Sequence, residues 1–311
     1  MSEDLLGQVD LLAAGQAVLV LLSGGRDSTC LLDLAVRIAG PDAVTALHVN
    51  YGLRDAAEAD EAHCVELCRR LGVPLEVRRP RRPANGNVQA WAREQRYRAA
   101  EELAPDGADI AAGHTATDQV ETILYRLASS PSRRALLGMR PREGRLIRPL
   151  LGATREQTAA YCERRGLAWR EDESNESHAY ARARVRQVLV PALRTIHPAA
   201  ESNVLALAAT LRDEAEVLDA LVAQVLEGRS EIELDRLRAV PLALARLVLQ
   251  RLADGAAEGP APGTARRAEE ILAMGSNSAL DLPHGVRAVA EAGVLRFVRR
   301  RSAVGRPPLI K

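Results

Sequence analysis

The chain has 311 residues, room for one large or two modest domains, and 47% of them are hydrophobic, enough for a full core. Aromatic residues make up only 3%, so Leu, Val and Ala must fill that core. The formal net charge of +1 does not announce a nucleic-acid binder; the cations are arginines apart from Lys311, and arginine pairs bidentately with phosphate. A bias toward Ala, Arg and Gly accounts for most of those arginines. No apolar run approaches the roughly 20 residues of a membrane-spanning helix. Met1-Ser2-Glu3-Asp4 is acidic, unlike the basic start of a signal peptide. The four cysteines (Cys30, Cys64, Cys68, Cys162) sit in helical patterns, so a cytoplasmic protein with reduced thiols and no membrane partner is expected.

In chain order, residues 8–15 read as the end of a short leading helix. The apolar run Val18-Leu19-Val20-Leu21-Leu22 reads as a first strand, Ser23-Gly24-Gly25-Arg26-Asp27-Ser28 as a loop, and Cys30 to Ile38 as a helix broken by Gly40-Pro41-Asp42. A second strand follows over residues 43–50, a loop at Tyr51-Gly52-Leu53-Arg54, and a helix over 55–71 that Gly72-Val73-Pro74 stops. Residues 75–78 read as a third strand, 88–103 as a helix, 109–113 as a fourth strand, and 115–128 as the next helix. Such alternation predicts a parallel sheet with right-handed crossovers, whose ligands gather beyond the carboxyl ends of the strands. Four stretches fall there: the Ser23–Ser28 loop, His48–Arg54, the loop before Val88, and His114–Thr122.

Beyond Ser129 come basic loops, a short strand over 146–151, a helix capped by Thr154 that Gly166 ends, the polar stretch Glu171–Ser177, and a helix over 179–193 carrying Arg182, Arg184 and Arg186. After His197-Pro198 the alternation stops. Helices are expected over 199–226, 242–252 and 264–274, a flexible link over 255–263, and strand-like pieces at 279–282 and 293–298. The division predicted is a sheet domain over 1–195 and a second, mainly helical domain over 199–311, with a mobile tail from Arg299 onward.

The Ser23–Ser28 loop carries the first chemical signal. A strand, a glycine turn and a helix N-terminus present free backbone N–H groups and the positive end of a helix dipole, which suit phosphate. The glycines allow close approach, and Ser23 and Ser28 add hydroxyls. Asp27 is out of place beside an anion unless a cation lies between them, so a divalent metal belongs to the expectation. A GxxxxGK[ST] loop is excluded because it needs a lysine, and GxGxxG is absent here. His63-Cys64 with Cys68 lacks the second ligand pair of a zinc site and reads as two small core residues.

With His114-Thr115-Ala116-Thr117-Asp118-Gln119-Val120-Glu121-Thr122 added to that loop, the sequence resembles the tRNA(Ile)-lysidine synthetases, N-type ATP pyrophosphatases of the PP-loop group. The resemblance continues in order through Leu47–Arg54, Gln89–Tyr97, Leu137-Gly138-Met139, Ile147–Leu151 and Glu171–Asn175, and covers most of residues 17–195. It implies a Rossmann-like parallel sheet flanked by helices, of the adenine nucleotide alpha hydrolase kind, and the shorter form of the family. The implied reaction joins free L-lysine to carbon 2 of the wobble cytidine of CAU-anticodon isoleucine tRNA. The cytidine oxygen attacks the α-phosphate of ATP, pyrophosphate leaves, and the ε-amine of lysine displaces AMP. Ser23, Gly24, Gly25, Arg26, Asp27, Ser28, His48 and His114 are then the expected ATP ligands, with Asp27 and Asp118 holding Mg²⁺. Asp118 and Glu121 grip either an ammonium or the metal. Arg93 and Arg96 clamp a phosphate or the lysine carboxylate, and Arg182, Arg184 and Arg186 meet tRNA.

The clusters Arg78–Arg82 and Arg133-Arg134 are further candidates for tRNA, and a homodimer is compatible with the family. Three positions depart from the family pattern: Thr117 replaces an aspartate, Tyr51 a histidine, and Ala183 an asparagine. Rival readings are a tRNA thiolase, for which the CxxC cysteines are missing, an amidating ligase, for which no ammonia-supplying domain fits, and a non-catalytic RNA-binding adaptor.

Overall fold

The computed structural model describes residues 5–53, 55–83, 86–130, 132–171, 181–261 and 263–299. The chain divides into two compact units, Met1–Ala208 and Ala209–Lys311.

In the first unit, strands β1 (Val18–Leu21), β2 (Val44–Val49), β3 (Leu75–Arg78), β4 (Asp109–Ala111), β5 (Arg142–Glu143) and β6 (Leu146–Ile147) form one sheet in the order β3-β2-β1-β4-β6-β5. All pairings are parallel except β5 with β6, and Val18 lies opposite Val44 on one side and Asp109 on the other. Between the strands run α1 (Arg26–Ala39), α2 (Ala57–Leu71), α3 (Val88–Leu103) and α4 (Ala116–Ser129). They are followed by α5 (Arg155–Arg164), α6 (Ala181–Arg184) and α7 (Val190–Ile196).

β1 is buried on both faces, and its period of two divides its side chains between two cores. Val18 and Val20 pack with Leu31, Leu34 and Leu67, while Leu19 and Leu21 pack with Leu47, Ala100 and Ile110. Each such side chain contributes about 1.5–3 kcal/mol on burial. The result is a rigid central strand that stops where the glycine loop begins.

The core that takes Val18 and Val20 also holds a clamp between α1 and α5. Tyr161 Oη donates to the buried Asp33 at 2.6 Å, and Arg165 reaches both oxygens of the same carboxylate at 3.1 and 3.3 Å. α5 is thereby fixed lengthwise against α1. Residues 185–189, between α6 and α7, form a π-turn. Pro191 has no N–H to give the carbonyl four residues back, and the widened turn precedes it.

Several elements differ from expectation. The leading segment is a 3-10 turn, Leu5–Gln8, rather than a helix ending over 8–15. The stretch after Ile147 turns at once instead of remaining extended. α8 (Ala200–Leu226) is continuous, and the division between the units falls within it. In the second unit α10 (Leu242–Ala257) runs through Gly255 into what reads as a link, because Leu252 and Ala253 are buried and Glu258 caps the helix in the left-handed region. That unit also contains β7 (Glu231–Glu233), α9 (Leu234–Ala239), α11 (Ala268–Leu272), β8 (Ser278–Asp281), β9 (Val286–Glu291) and β10 (Val294–Arg299). Its sheet, β7-β10-β9-β8, is antiparallel and packs Val286, Ala288, Ala290 and Leu295 against Val248 and Leu249 of α10. Among the described residues no helix is long and apolar enough to cross a membrane.

Candidate active site

The glycine loop joins β1 to α1. Gly24 has φ +81, and a Cβ there would lie 3.2 Å from the buried Cys64 Sγ, so a side chain is refused by both backbone and neighbour. Gly25 caps α1 with no side chain, leaving the first helical N–H groups to a ligand. Ser28 Oγ accepts from Ser23 N at 3.1 Å and donates to the Gly25 carbonyl at 2.9 Å, which curls the loop around its own amides. From outside, Arg170 N donates to the Gly24 carbonyl at 2.9 Å, while its guanidinium holds the buried Asp60 at 3.1 Å. His48 lies beneath the loop: its Nδ1 donates to the Leu22 carbonyl at 2.9 Å, which fixes the tautomer.

β4 ends beside the same loop. Gly113 is in contact with the first turn of α1, since a Cβ at this glycine would come within 3.1 Å of the Asp27 backbone. This close approach brings α4 and its acids to Asp27. Asp118 sits at the third position of α4 in a capping box with Thr115, accepting the Thr115 N–H at 2.9 Å and its hydroxyl at 3.0 Å. One turn further on, Glu121 is fully buried.

Guanidinium groups meet these acids. Arg186 binds Glu121 through two contacts of 2.5 and 3.1 Å, and Arg182 spans Glu121 at 3.2 Å and Asp118 at 3.3 Å. Arg155, at the start of α5, lies 3.6 Å from Asp118 Oδ1 and 3.7 Å from Asp27 Oδ2. Thr158, one turn along, donates to Asp27 Oδ1 at 2.5 Å, and Arg26 Nε reaches the same oxygen at 3.2 Å. Burial opposes ionisation of Asp118, but the fields of Arg182 and Arg155 outweigh it and its carboxyl is held below the usual range. Among the described residues three carboxylates therefore face the four guanidinium groups of Arg26, Arg155, Arg182 and Arg186. With one cation in excess, the cluster suits an anion as well as a metal.

Asp27 Oδ2 and Asp118 Oδ1 both face the Arg155 guanidinium, and Asp118 Oδ1 also accepts from Arg182. Two such oxygens fit Mg²⁺, which takes one or two carboxylates and completes its shell with phosphate oxygens and water. Among the described residues no three His, Cys, Asp or Glu side chains form a cage, so the donor set fits an ion that arrives with phosphate.

His114 follows β4, and its Nδ1 is buried without a hydrogen-bond partner. Burial lowers its pKa to about 4, with Arg148, Arg96 and Arg182 adding to the effect against the pull of Asp118. The ring is neutral at pH 7. Arg93 and Arg96 lie 4.8 and 5.6 Å from the Tyr97 ring centroid, and Arg96 Nε is a second buried donor without a hydrogen-bond partner. A separate cavity of about 760 Å³ opens beyond β2 and β3, lined by Asn50, Tyr51, Glu61 and Arg79 among others, and shares no residue with the acid cluster.

The arginine row is divided by its helix. Arg182 and Arg186, four apart, share the face toward Glu121, while Arg184 is exposed. Of the other basic clusters, Arg78 and Arg79 pair with Glu76 and Glu61, and Arg81 and Arg82 are exposed. Arg54 and the stretch Asp172–Ser177 lie outside the described residues. Arg155 and Thr158 were not legible as site residues. Thr154 announces the helix that carries them, but nothing local says that it ends 131 positions away at Asp27.

The family model for the PP-loop domain matches residues 3–193. The tRNA(Ile)-lysidine synthase of Pseudomonas aeruginosa is 38% identical over 70% of this chain and 51% of its own length. That of Symbiobacterium thermophilum is 36% identical over 95% of this chain and 68% of its own. The chain belongs to the tRNA(Ile)-lysidine synthase family. It spans about half the length of the Pseudomonas relatives it matches. A solved U34-tRNA thiolase from Methanococcus maripaludis, carrying a 4Fe–4S cluster, shares the fold with a TM-score of 0.54 at 17% identity, covering 67% of this chain and 76% of that one.

The departures from the lysidine synthase pattern acquire a physical setting here. The Thr117 hydroxyl accepts the backbone N–H of Arg155 at 3.4 Å, so it meets the start of α5 where an aspartate would have added a fourth acid. Tyr51 donates to the Ala92 carbonyl at 2.9 Å and packs edge-on to Trp91, tying the loop after β2 to α3.

Proposed function

We propose that this chain ligates free L-lysine to carbon 2 of the wobble cytidine of CAU-anticodon tRNA(Ile), using ATP and releasing AMP and pyrophosphate. One observation carries the reading. A backbone anion cradle, Asp27 and the α4 acids converge at the carboxyl ends of β1 and β4, inside a cluster with one excess positive charge.

The amides of the glycine loop, with Ser23 and Ser28, receive the pyrophosphate portion of ATP, where negative charge grows as the α–β bond breaks. Asp27 and Asp118 would hold Mg²⁺, which when bound supplies charge neutralisation to the leaving group. His114, being neutral, offers its unpaired nitrogen to the nucleotide as a hydrogen-bonding group without adding charge. Arg93 and Arg96 bind the α-phosphate or the lysine carboxylate. Asp118 orients the lysine ammonium, and Glu121 acts beneath it by holding Arg182 and Arg186. Residues 1–195 thus perform the chemistry, while 199–311 and the exposed Arg81, Arg82 and Arg184 engage tRNA. The exposed apolar side chains of Leu127, Val188 and Ile196 support a homodimer, working in the cytoplasm.

Sulfur transfer is disfavoured by the cysteines. All four are buried, and burial pushes the Cys64 and Cys68 thiols up to about 12, far from the thiolate that such chemistry needs. Incubation with ATP, Mg²⁺, labelled lysine and unmodified tRNA(Ile) tests the proposal. Label should appear in the tRNA with one AMP per lysine. Transfer from a sulfur donor with none from lysine rejects it in favour of thiolation.

A further inference from the structure

Arg155 stands apart from the other arginines of the cluster. Arg182 and Arg186 make hydrogen bonds to their acids, whereas Arg155 is 3.6 and 3.7 Å from its two carboxylates, within charge-pairing range but beyond hydrogen bonding. Its Nε is buried and has no hydrogen-bond partner. The backbone that carries it is not loose. Thr154 and Gln157 form a capping box at the start of α5, and Tyr161 and Arg165 clamp the helix to Asp33. A guanidinium on a rigid base is thus held between two carboxylates by charge alone.

We propose that Arg155 is a resident counter-cation, a positioning residue that occupies the shared ground between Asp27 and Asp118 and keeps a free cation from binding until a polyphosphate draws the guanidinium away. The inference rests on the nucleotide site proposed above. Two carboxylates that share a counter-cation repel one another once it is removed and attract a divalent ion from solution. With Arg155 between them they are spaced and neutralised. An incoming phosphate oxygen offers the unpaired Nε–H the partner it lacks, which frees Asp27 Oδ2 and takes one guanidinium from Asp118 Oδ1 while Arg182 stays on it. Cation binding thereby becomes conditional on the nucleotide.

The test uses the full chain and Mn²⁺ as the probe, titrated calorimetrically without nucleotide. Wild type and Arg155→Lys, which keeps the charge, should bind Mn²⁺ weakly at this site, and Arg155→Met should bind it about tenfold more tightly or better. The Asp33 clamp preserves α5 in all three, which circular dichroism checks. Equal Mn²⁺ affinity in wild type and Arg155→Met overturns the counter-cation role, as does an Arg155→Lys protein that behaves like Arg155→Met. Binding of α,β-methylene-ATP with Mg²⁺ is measured alongside. If wild type binds the analogue while Mn²⁺ affinities stay equal, only the counter-cation is refuted. If wild type fails to bind it, the nucleotide site falls and the inference with it.

Discussion

Replacing Gly138 by alanine should destabilise the first unit far more than replacing Gly144, although both glycines have the same backbone conformation, with φ of +65 and +61. Alanine at either site adds about 1 kcal/mol of left-handed strain. At Gly144 nothing else lies within 4 Å, whereas a Cβ at Gly138 would stand 2.6 Å from Gln119 Oε1 and 2.8 Å from its Cδ. The Gln119 amide cannot yield without loss. It accepts the Met139 N–H at 2.6 Å and donates to the Met139 carbonyl at 2.8 Å, and it is buried. Losing both bonds costs about 2 kcal/mol beyond the strain, for a total of about 3 kcal/mol against about 1 kcal/mol for Gly144→Ala. For a unit of this size the difference lowers Tm by roughly 4–8 °C. Tryptophan fluorescence during urea unfolding is a clean assay, because the two tryptophans, Trp91 and Trp169, both belong to the first unit. Since Gln119 lies between Asp118 and Glu121 on α4, lysine transfer should fall in parallel. Coincident midpoints for the two variants would refute the account.

Asp27→Ala should abolish AMP formation while leaving tRNA binding nearly intact, measured by nucleotide chromatography and filter retention; AMP release at the wild-type rate would remove Asp27 from the chemistry. Glu121→Gln strips the negative partner from two guanidinium groups. A fully buried pair would lose roughly 3–5 kcal/mol, and the 46% and 25% exposure of Arg182 and Arg186 reduces this to about 2 kcal/mol in urea unfolding. A loss under about 0.5 kcal/mol would mean that solvent already satisfies both arginines. For His114 the folded pKa, about 4, lies below the ordinary 6.5, so the unfolded chain takes up a proton that the folded chain refuses. Its stabilising contribution is complete above pH 6.5 and declines by up to about 1.4 kcal/mol per unit as pH falls toward 4. His114→Asn should flatten that part of the pH–stability curve, and an unchanged slope would assign the dependence to other groups.

The parallel sheet was readable because β1 and β2 are short apolar runs and each following helix is ended by Gly or Pro. The glycine loop was readable because its chemistry is local: Gly24 and Gly25, two hydroxyls and one carboxylate within six positions. What lay hidden was assembled across distance. α5 reads as an ordinary capped helix, and only packing through Asp33 sends Arg155 and Thr158 to the loop. The row Arg182, Arg184 and Arg186 looks uniform in sequence, yet the helical period brings its first and last members to Glu121. In the second unit β9 escaped notice because Val286–Glu291 alternates weakly, with Ala as two of its three inward residues. Its hydrophobicity is slight, and its identity as a strand comes from β8 and β10 on either side.

Among the described residues the cations around Asp27, Asp118 and Glu121 are all guanidinium groups, and the sequence holds a single lysine, Lys311. A guanidinium stays protonated throughout the physiological range and has no lone pair to give. An ammonium side chain in the same place would be a latent nucleophile, released each time it lost a proton beside an activated base. In the proposed reaction the adenylated cytidine would therefore meet one competent amine in this cluster, the one that diffuses in as substrate. Building the positive field from arginine gives the site its charge while removing the protein itself as a competitor for its own intermediate.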